Sequence, residues 1–259
     1  MNHEQAKVIL PIMLRELRLP AFLHFWEEVG HQSDHDGWGS ACYLATLCET
    51  EIQTRNTRRM ARKLKESGLN PGKSLSTFDF GQVPMINKTH ILALATGDVW
   101  IKGGGNILIF GPSGVGKTHL AHGIGIQLIE HGMRVMVTRT TELVQKLQSA
   151  KQTLTLPAML RRLDKYDCLI LDDIGYARRD THETDVLFEL ISERYERKSM
   201  IVTCNQSFGE WDSIFQDKAM AVAAIDRLVY NSTILQINAD SYRKASALKK
   251  MEATKRTAG

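Results

Sequence analysis

The eight residues Gly111-Pro112-Ser113-Gly114-Val115-Gly116-Lys117-Thr118 constrain this chain more than any other stretch. They match the GxxxxGK[ST] pattern in full, follow the apolar run Asn106–Phe110 and lead into a helical pattern beginning near Lys117. Each position has a chemical reason. Glycines let consecutive backbone N–H groups close around phosphate oxygens with no Cβ in the way. The start of the following helix adds its positive dipole end. Lys117 reaches β- and γ-phosphates, and the Thr118 hydroxyl suits Mg²⁺, a hard cation that prefers oxygen. The alternative is a chance glycine-rich turn, which eight matched positions with a strand before and a helix after disfavour.

The surrounding pattern agrees. Short apolar runs recur at 106–110, 134–138, 168–171, 200–203 and 233–237. Helical segments separate them at 118–131, 141–152, 157–165, 183–197 and 218–230. Strands alternating with helices at this spacing predict an α/β core with a five-stranded parallel sheet covered on both faces. The strand at 134–138 falls in sequence between the phosphate-loop strand and the next apolar strand, as in ATPases with an additional central strand; this step is analogy at the level of the fold. The first third reads differently. It predicts a helix starting near Pro11, a break at Pro20, a helix over 21–29, a loop over 31–39 and a long helix over 40–66. Gly68, Pro71 and Gly72 then mark a stop. The expected organisation is a small all-helical unit over 1–70, a linker with one helix over 71–105, the ATPase core over 106–243, and a basic, disordered tail over 244–259.

Three further sites carry chemistry. The strand Asp167-Cys168-Leu169-Ile170-Leu171-Asp172-Asp173 ends in paired carboxylates, where open α/β sheets bind ligands. Asp172 is the candidate Mg²⁺ holder, and Asp173 the candidate for orienting or deprotonating the water that attacks the γ-phosphate. The strand Ile201-Val202-Thr203-Cys204-Asn205 ends in Asn205, whose amide can bond both that water and the γ-phosphate, or can simply cap the strand end. Asp226-Arg227 lies late in a helix. Arg227 can stabilise charge on a transferring phosphate, often from a neighbouring subunit, or can pair with Asp226 on the surface. Arg243, after the last strand, is a candidate for a similar contact within its own subunit.

Charge matters through its placement, because the net formal charge is only +4 over 259 residues. Between positions 52 and 65 the chain carries Arg55, Arg58, Arg59, Arg62, Lys63 and Lys65 and no acid. At helical spacing 55, 58, 59, 62 and 65 share one face, suited either to a phosphate backbone or to solvent. Arg243 and the tail together hold six more cations against Glu252. The longest apolar runs are far short of the ~20 residues that span a bilayer. The N-terminus lacks a signal-peptide core, so no membrane contact and a cytoplasmic location are expected. Four cysteines without a CxxC pair read as free thiols. His119 and His122, three apart, lack an evident third ligand for zinc.

The ordered runs GPSGVGKTHLA, LILDDIGY, LFELISERYERKS, TCNQSFGEWDSIFQD, AAIDRL and SYR, with LRLPAF near the N-terminus, resemble the IstB family over nearly the whole chain. These are helper ATPases of insertion-sequence transposases, related to the DnaC helicase loader within the AAA+ class. The resemblance implies ATP and Mg²⁺ as cofactors, sequence-nonspecific binding to duplex DNA, ATP-bound homo-oligomers on that DNA, and a transposase as partner. It makes 111–118 the Walker A motif, Asp172 and Asp173 the Walker B motif, Asn205 sensor 1, Arg227 the arginine finger acting in trans, and Arg243 the arginine of the SYR motif. A helicase loader or replication-initiation ATPase is the alternative on the same core. A metabolic kinase is disfavoured by the basic helix, Asn205 and Asp226-Arg227. Two departures stand out. Most AAA+ proteins carry Glu where Asp173 stands; the shorter Asp sets the carboxylate about 1.5 Å further from the water, so that either hydrolysis is slow or the water lies closer. Only sixteen residues follow Arg243, so no C-terminal helical lid is expected.

Overall fold

A computed structural model describes residues 2–175, 181–206, 210 and 217–239. Arg243 and the tail over 244–259 lie outside the described residues. The chain divides into two compact units, Met1–Arg62 and Lys63–Gly259.

The first unit is helical. α1 (His3–Glu16) starts eight residues before Pro11, not at it. Asn2 and Gln5 form a reciprocal capping box that fixes the earlier start, and the helix runs through Pro11 although that residue has no N–H to give the preceding turn. α2 (Pro20–Asp36) begins with Pro20 in its first turn, where a missing N–H costs nothing. It absorbs most of the loop expected over 31–39 and stops at Gly37, whose φ of 66° is the left-handed conformation of a helix C-cap. The polar residues over 31–36 are helical because nothing ends the helix before that glycine. The buried carboxylate of Glu51, on α3 (Ser40–Ser67), accepts the Ala21 N–H at 2.7 Å and so satisfies an open donor in the first turn of α2.

The second unit carries the sheet. β1 (Asn106–Phe110), β2 (Val135–Arg139), β3 (Cys168–Asp172), β4 (Ser199–Cys204) and β5 (Ser232–Gln236) are all parallel, in the order β2-β3-β4-β1-β5. The strand between β1 and the acidic strand β3 is therefore β4; β2, the extra strand in sequence, takes an edge. Side chains alternate between two cores, as a sheet covered on both faces requires. Ile107, Ile109, Ile170 and Ile201 join one, and Leu108, Phe110, Leu169, Leu171 and Val202 join the other. The crossovers are α5 (Lys117–Glu130), the pair α6 (Thr140–Gln152) and α7 (Leu156–Leu163), α8 (Thr181–Arg194) and α9 (Lys218–Val229), with α4 (Lys88–Thr96) packed on α5.

Residues 71–105, expected to link the units, belong to the core of the second. Leu75, Phe78, Val83, Ile86 and Ile91 are buried in the cluster that covers one face of the sheet. Two single 3₁₀ turns, Leu75–Thr77 and Phe80–Gln82, fold this segment. Among the described residues no helix is long and apolar enough to cross a membrane.

Candidate functional site

Parallel register sets the carboxyl ends of β1, β3 and β4 level with one another. Phe110 stands beside Cys204 and Leu171 beside Val202, so Gly111, Asp172, Thr203 and Asn205 emerge together. The 111–118 loop turns over this edge. Gly111 has a φ of 149°, and a Cβ there would run into the carbonyl oxygen of Ile237, so only glycine fits. Gly116 has a φ of 102° and ends the loop as the N-cap of α5.

The polar groups at this edge are bonded to one another. Lys117 is only 5% exposed, and its Nζ donates to the carbonyls of Gly111 and Pro112, each at 2.8 Å, and to Oδ1 of Asn205 at 2.6 Å. The Asn205 amide in turn donates from Nδ2 to Oδ1 of Asp173 at 3.3 Å. Asp172 accepts the hydroxyl of Thr118 at 2.9 Å and that of Thr203 at 2.6 Å on the same oxygen, Oδ1. Thr203 also accepts the backbone N–H of Asp173 at 2.9 Å, so one threonine fixes both acidic residues. Asp173 has a φ of 57°, in the left-handed region where Asp is among the better tolerated side chains. That gives a backbone reason for Asp in place of the longer Glu.

This edge opens into a cavity of about 430 Å³. Ser113, Gly114, Val115, Gly116, Lys117, Thr118, Asp173 and Asn205 line it on one side. The opposite wall, including Lys73, Phe78, Gln82 and Val83, comes from the segment expected to be a linker. Ala239, beyond β5, closes a corner. Sequence reasoning missed that wall, and it missed Thr203. The only signal in 71–83 was the turn marker Pro71-Gly72, and Thr203 looks like any β-branched strand residue.

The histidines of α5 have separate tasks. His119 Nε2 lies 3.1 Å from Thr77 Oγ1 and 3.0 Å from the Ser74 carbonyl. The Nδ1 of buried His122 accepts the Asn70 N–H at 3.0 Å. Burial, assisted by the nearby Lys73, pushes the His122 pKa down to about 4, so the ring is neutral at physiological pH.

Arg227 lies on α9 and does not line this cavity. Its guanidinium sits 4.8 Å over the ring of Phe188 on α8, and Nη1 donates to the Ala223 carbonyl at 3.1 Å. No ion pair with Asp226 is present among the described residues. All six residues of the basic stretch lie on α3. Arg55, Arg58, Arg59, Arg62 and Lys65 are exposed, while Lys63 is half-buried with its Nζ donating to the Gly132 carbonyl. Arg55 is opposed by a carboxylate just outside the stretch, donating from Nε to Glu51 at 2.7 Å.

A five-stranded parallel sheet with the acidic strand one place removed from the phosphate-loop strand, and a lysine-threonine loop over their carboxyl ends, defines a P-loop protein of the AAA+ class. Solved structures agree on the fold. The DnaC helicase loader superposes with a TM-score of 0.50 at 24% identity, covering 58% of this chain and 87% of that one. AMPPCP-bound DnaA from Aquifex aeolicus gives 0.55 at 19% identity, covering 72% of this chain and 56% of that one. The sequence places the chain more narrowly: residues 12–250 match the model of the IstB-like ATP binding proteins, and the chain belongs to that family. It is 52% identical to a putative insertion sequence ATP-binding protein of Sinorhizobium fredii, over 92% of this chain and 80% of that one. It is 34% identical to an insertion sequence putative ATP-binding protein of Pseudomonas aeruginosa, over 96% and 93%.

Proposed function

We propose that this protein is an ATP-hydrolysing, DNA-binding helper that assembles on duplex DNA and assists a transposase in selecting target DNA. The observation that carries the reading is the Lys117–Asn205–Asp173 chain of hydrogen bonds at the mouth of the 430 Å³ cavity, in a chain of the IstB-like ATP binding family. It joins the group that grips phosphate to the group that positions water.

ATP binds with its phosphates in the 111–118 loop and its base toward Phe78 and Val83. Lys117 exchanges its three protein oxygens for β- and γ-phosphate oxygens, an ion-pair gain for a cation already dehydrated. The Thr118 hydroxyl and the Asp172 carboxylate, 2.9 Å apart, are hard oxygen donors that suit Mg²⁺. Held there, Mg²⁺ would supply neutralisation of phosphate charge. Asp173 orients the attacking water and takes its proton, Asn205 holds Asp173 in register with the γ-phosphate, and Thr203 holds Asp172 and the Asp173 backbone. Arg227, absent from its own cavity, serves the cavity of a neighbouring copy as an arginine finger. The exposed cations of α3, Arg58, Arg59, Arg62 and Lys65 with Arg55, and Lys63 beside them, bind the DNA backbone without reading sequence. Arg243 contributes a nucleotide contact within its own copy.

Mixing tests the reading. Arg227→Ala and Asp173→Ala proteins are each inactive in ATP turnover on DNA, and their mixture regains part of the rate. Full activity of Arg227→Ala alone contradicts the finger. Retention of the cognate transposase, and not of a replicative helicase, on immobilised protein is the matching partner test. The reverse result moves the protein to the helicase loaders.

A further inference from the structure

A second cavity, of about 420 Å³, opens at the other end of the sheet from the 111–118 loop. Its walls come from the start of β2, the end of α7, the turn leading into β3 and the end of α3. Four cations face it, Lys63, Arg134, Arg162 and Lys165, against one carboxylate, Glu66.

Position on a helix accounts for part of this set, because a cation in the last turn of α7 complements that helix's negative end. It does not account for Arg134, which lies on the strand side. Two nearby acids are engaged elsewhere. Asp164 is turned to Arg197 at 2.9 Å. Asp167 is turned to Lys198 at 3.1 Å and accepts the backbone N–H, not the guanidinium, of Arg134. Among the described residues Arg134, Arg162 and Lys165 make no ion pair.

The wall that carries two of these cations is held from behind. Arg194 is 1% exposed, and its guanidinium donates to the carbonyls of Leu163 at 3.2 Å, Tyr166 at 3.1 Å and Asp167 at 3.4 Å. A buried cation spent on three carbonyls of one turn fixes the backbone on which Arg162 and Lys165 stand. Held cations around one concavity raise its potential and favour a multiply charged anion, and guanidinium groups match the oxygen spacing of phosphate.

We propose that this cavity is a phosphate-ester binding site of the ATPase unit, with Lys63, Arg134, Arg162 and Lys165 as its charged groups. The ligand is a run of nucleic-acid backbone phosphates or the diphosphate of a free nucleotide. The site is separate from the 111–118 loop, and the first of these sources rests on the DNA-binding reading above.

The test compares full-length protein with an Arg134→Ala/Arg162→Ala/Lys165→Ala variant. Unchanged binding of a non-hydrolysable ATP analogue verifies that the variant is folded. In one arm, affinity for a short duplex is measured by anisotropy over a salt series. Loss of three phosphate contacts lowers affinity at least tenfold and makes the slope of log K against log salt shallower by about 2 to 3. In the other arm, both proteins carry Lys117→Ala to weaken the first site, and inorganic pyrophosphate is titrated calorimetrically. Loss of binding in the triple variant alone assigns the site to free phosphate esters. If neither duplex nor pyrophosphate binding changes, the proposal is overturned. Wild-type protein that binds no duplex at all contradicts the DNA-binding reading, and the pyrophosphate arm then decides the cavity.

Discussion

The two ends of the sheet handle charge in opposite ways. At the carboxyl ends of β1, β3 and β4 the charged side chains have partners within the site: Lys117 has three oxygens, Asp172 has two hydroxyls, and Asp173 has the Asn205 amide. At the other end Arg134, Arg162 and Lys165 face a cavity and make no ion pair among the described residues, while Arg194, whose terminal guanidinium nitrogens donate to four backbone carbonyls, is buried behind them. The first site is kept in shape by its own residues, so a ligand must replace existing bonds. The second is kept in shape by a residue outside it, so a ligand adds bonds. Pre-organisation by self-pairing and pre-organisation by a backing residue therefore give different responses to mutation.

Lys117→Ala should break the first end most completely. ATP-dependent retention of DNA disappears in a filter or anisotropy assay, and unchanged assembly would mean that the loop is not the switch. Arg194→Leu should break the second. Burial draws the arginine's pKa down to about 10, so it is charged at neutral pH, and its loss strands four backbone carbonyls. A destabilisation of about 3 kcal/mol or more follows, read by urea titration, while a change below about 1 kcal/mol would show that the wall does not depend on it.

Smaller effects sharpen the contrast. Folded His122 takes its proton near pH 4 and an unfolded histidine near 6.5, so between these values the unfolded chain binds more protons. Stability should fall by up to about 3 kcal/mol as pH drops through that window, after which this contribution is flat. A His122→Gln protein should lack that component of the pH profile; an unaltered profile would remove His122 from the account. Thr203→Val keeps the shape and deletes the hydroxyl that serves both acidic residues. It should cost about 1 kcal/mol in stability and slow turnover roughly tenfold or more with little change in nucleotide affinity. A changed affinity with normal turnover would place Thr203 in binding instead.

The same contrast explains what the sequence revealed. The carboxyl-end site was legible because its parts are contiguous or sit at strand ends. The phosphate loop is one run, and the acidic strand and Asn205 follow apolar runs whose limits the structure moves by only a residue or so. Thr203 was not legible, since its role depends on β4 lying between β1 and β3, and strand order is not written in local pattern. The Phe78 wall was hidden for a similar reason: a segment of single 3₁₀ turns has no periodicity to mark it as core. In the helical unit the errors were of extent. A capping box carried α1 through Pro11, and α2 ran on to Gly37 because only a left-handed residue stopped it. The second cavity draws on four separated segments, so nothing in the linear sequence gathers Lys63, Arg134, Arg162 and Lys165.

The account's central claim is that nucleotide at the first site controls assembly on DNA. Mass photometry of the full-length protein on a defined duplex, with and without a non-hydrolysable ATP analogue, tests it most directly. The account predicts discrete multi-subunit complexes on DNA with the analogue and free protein without it. Identical mass distributions in the two conditions, or assembly without DNA, would contradict it.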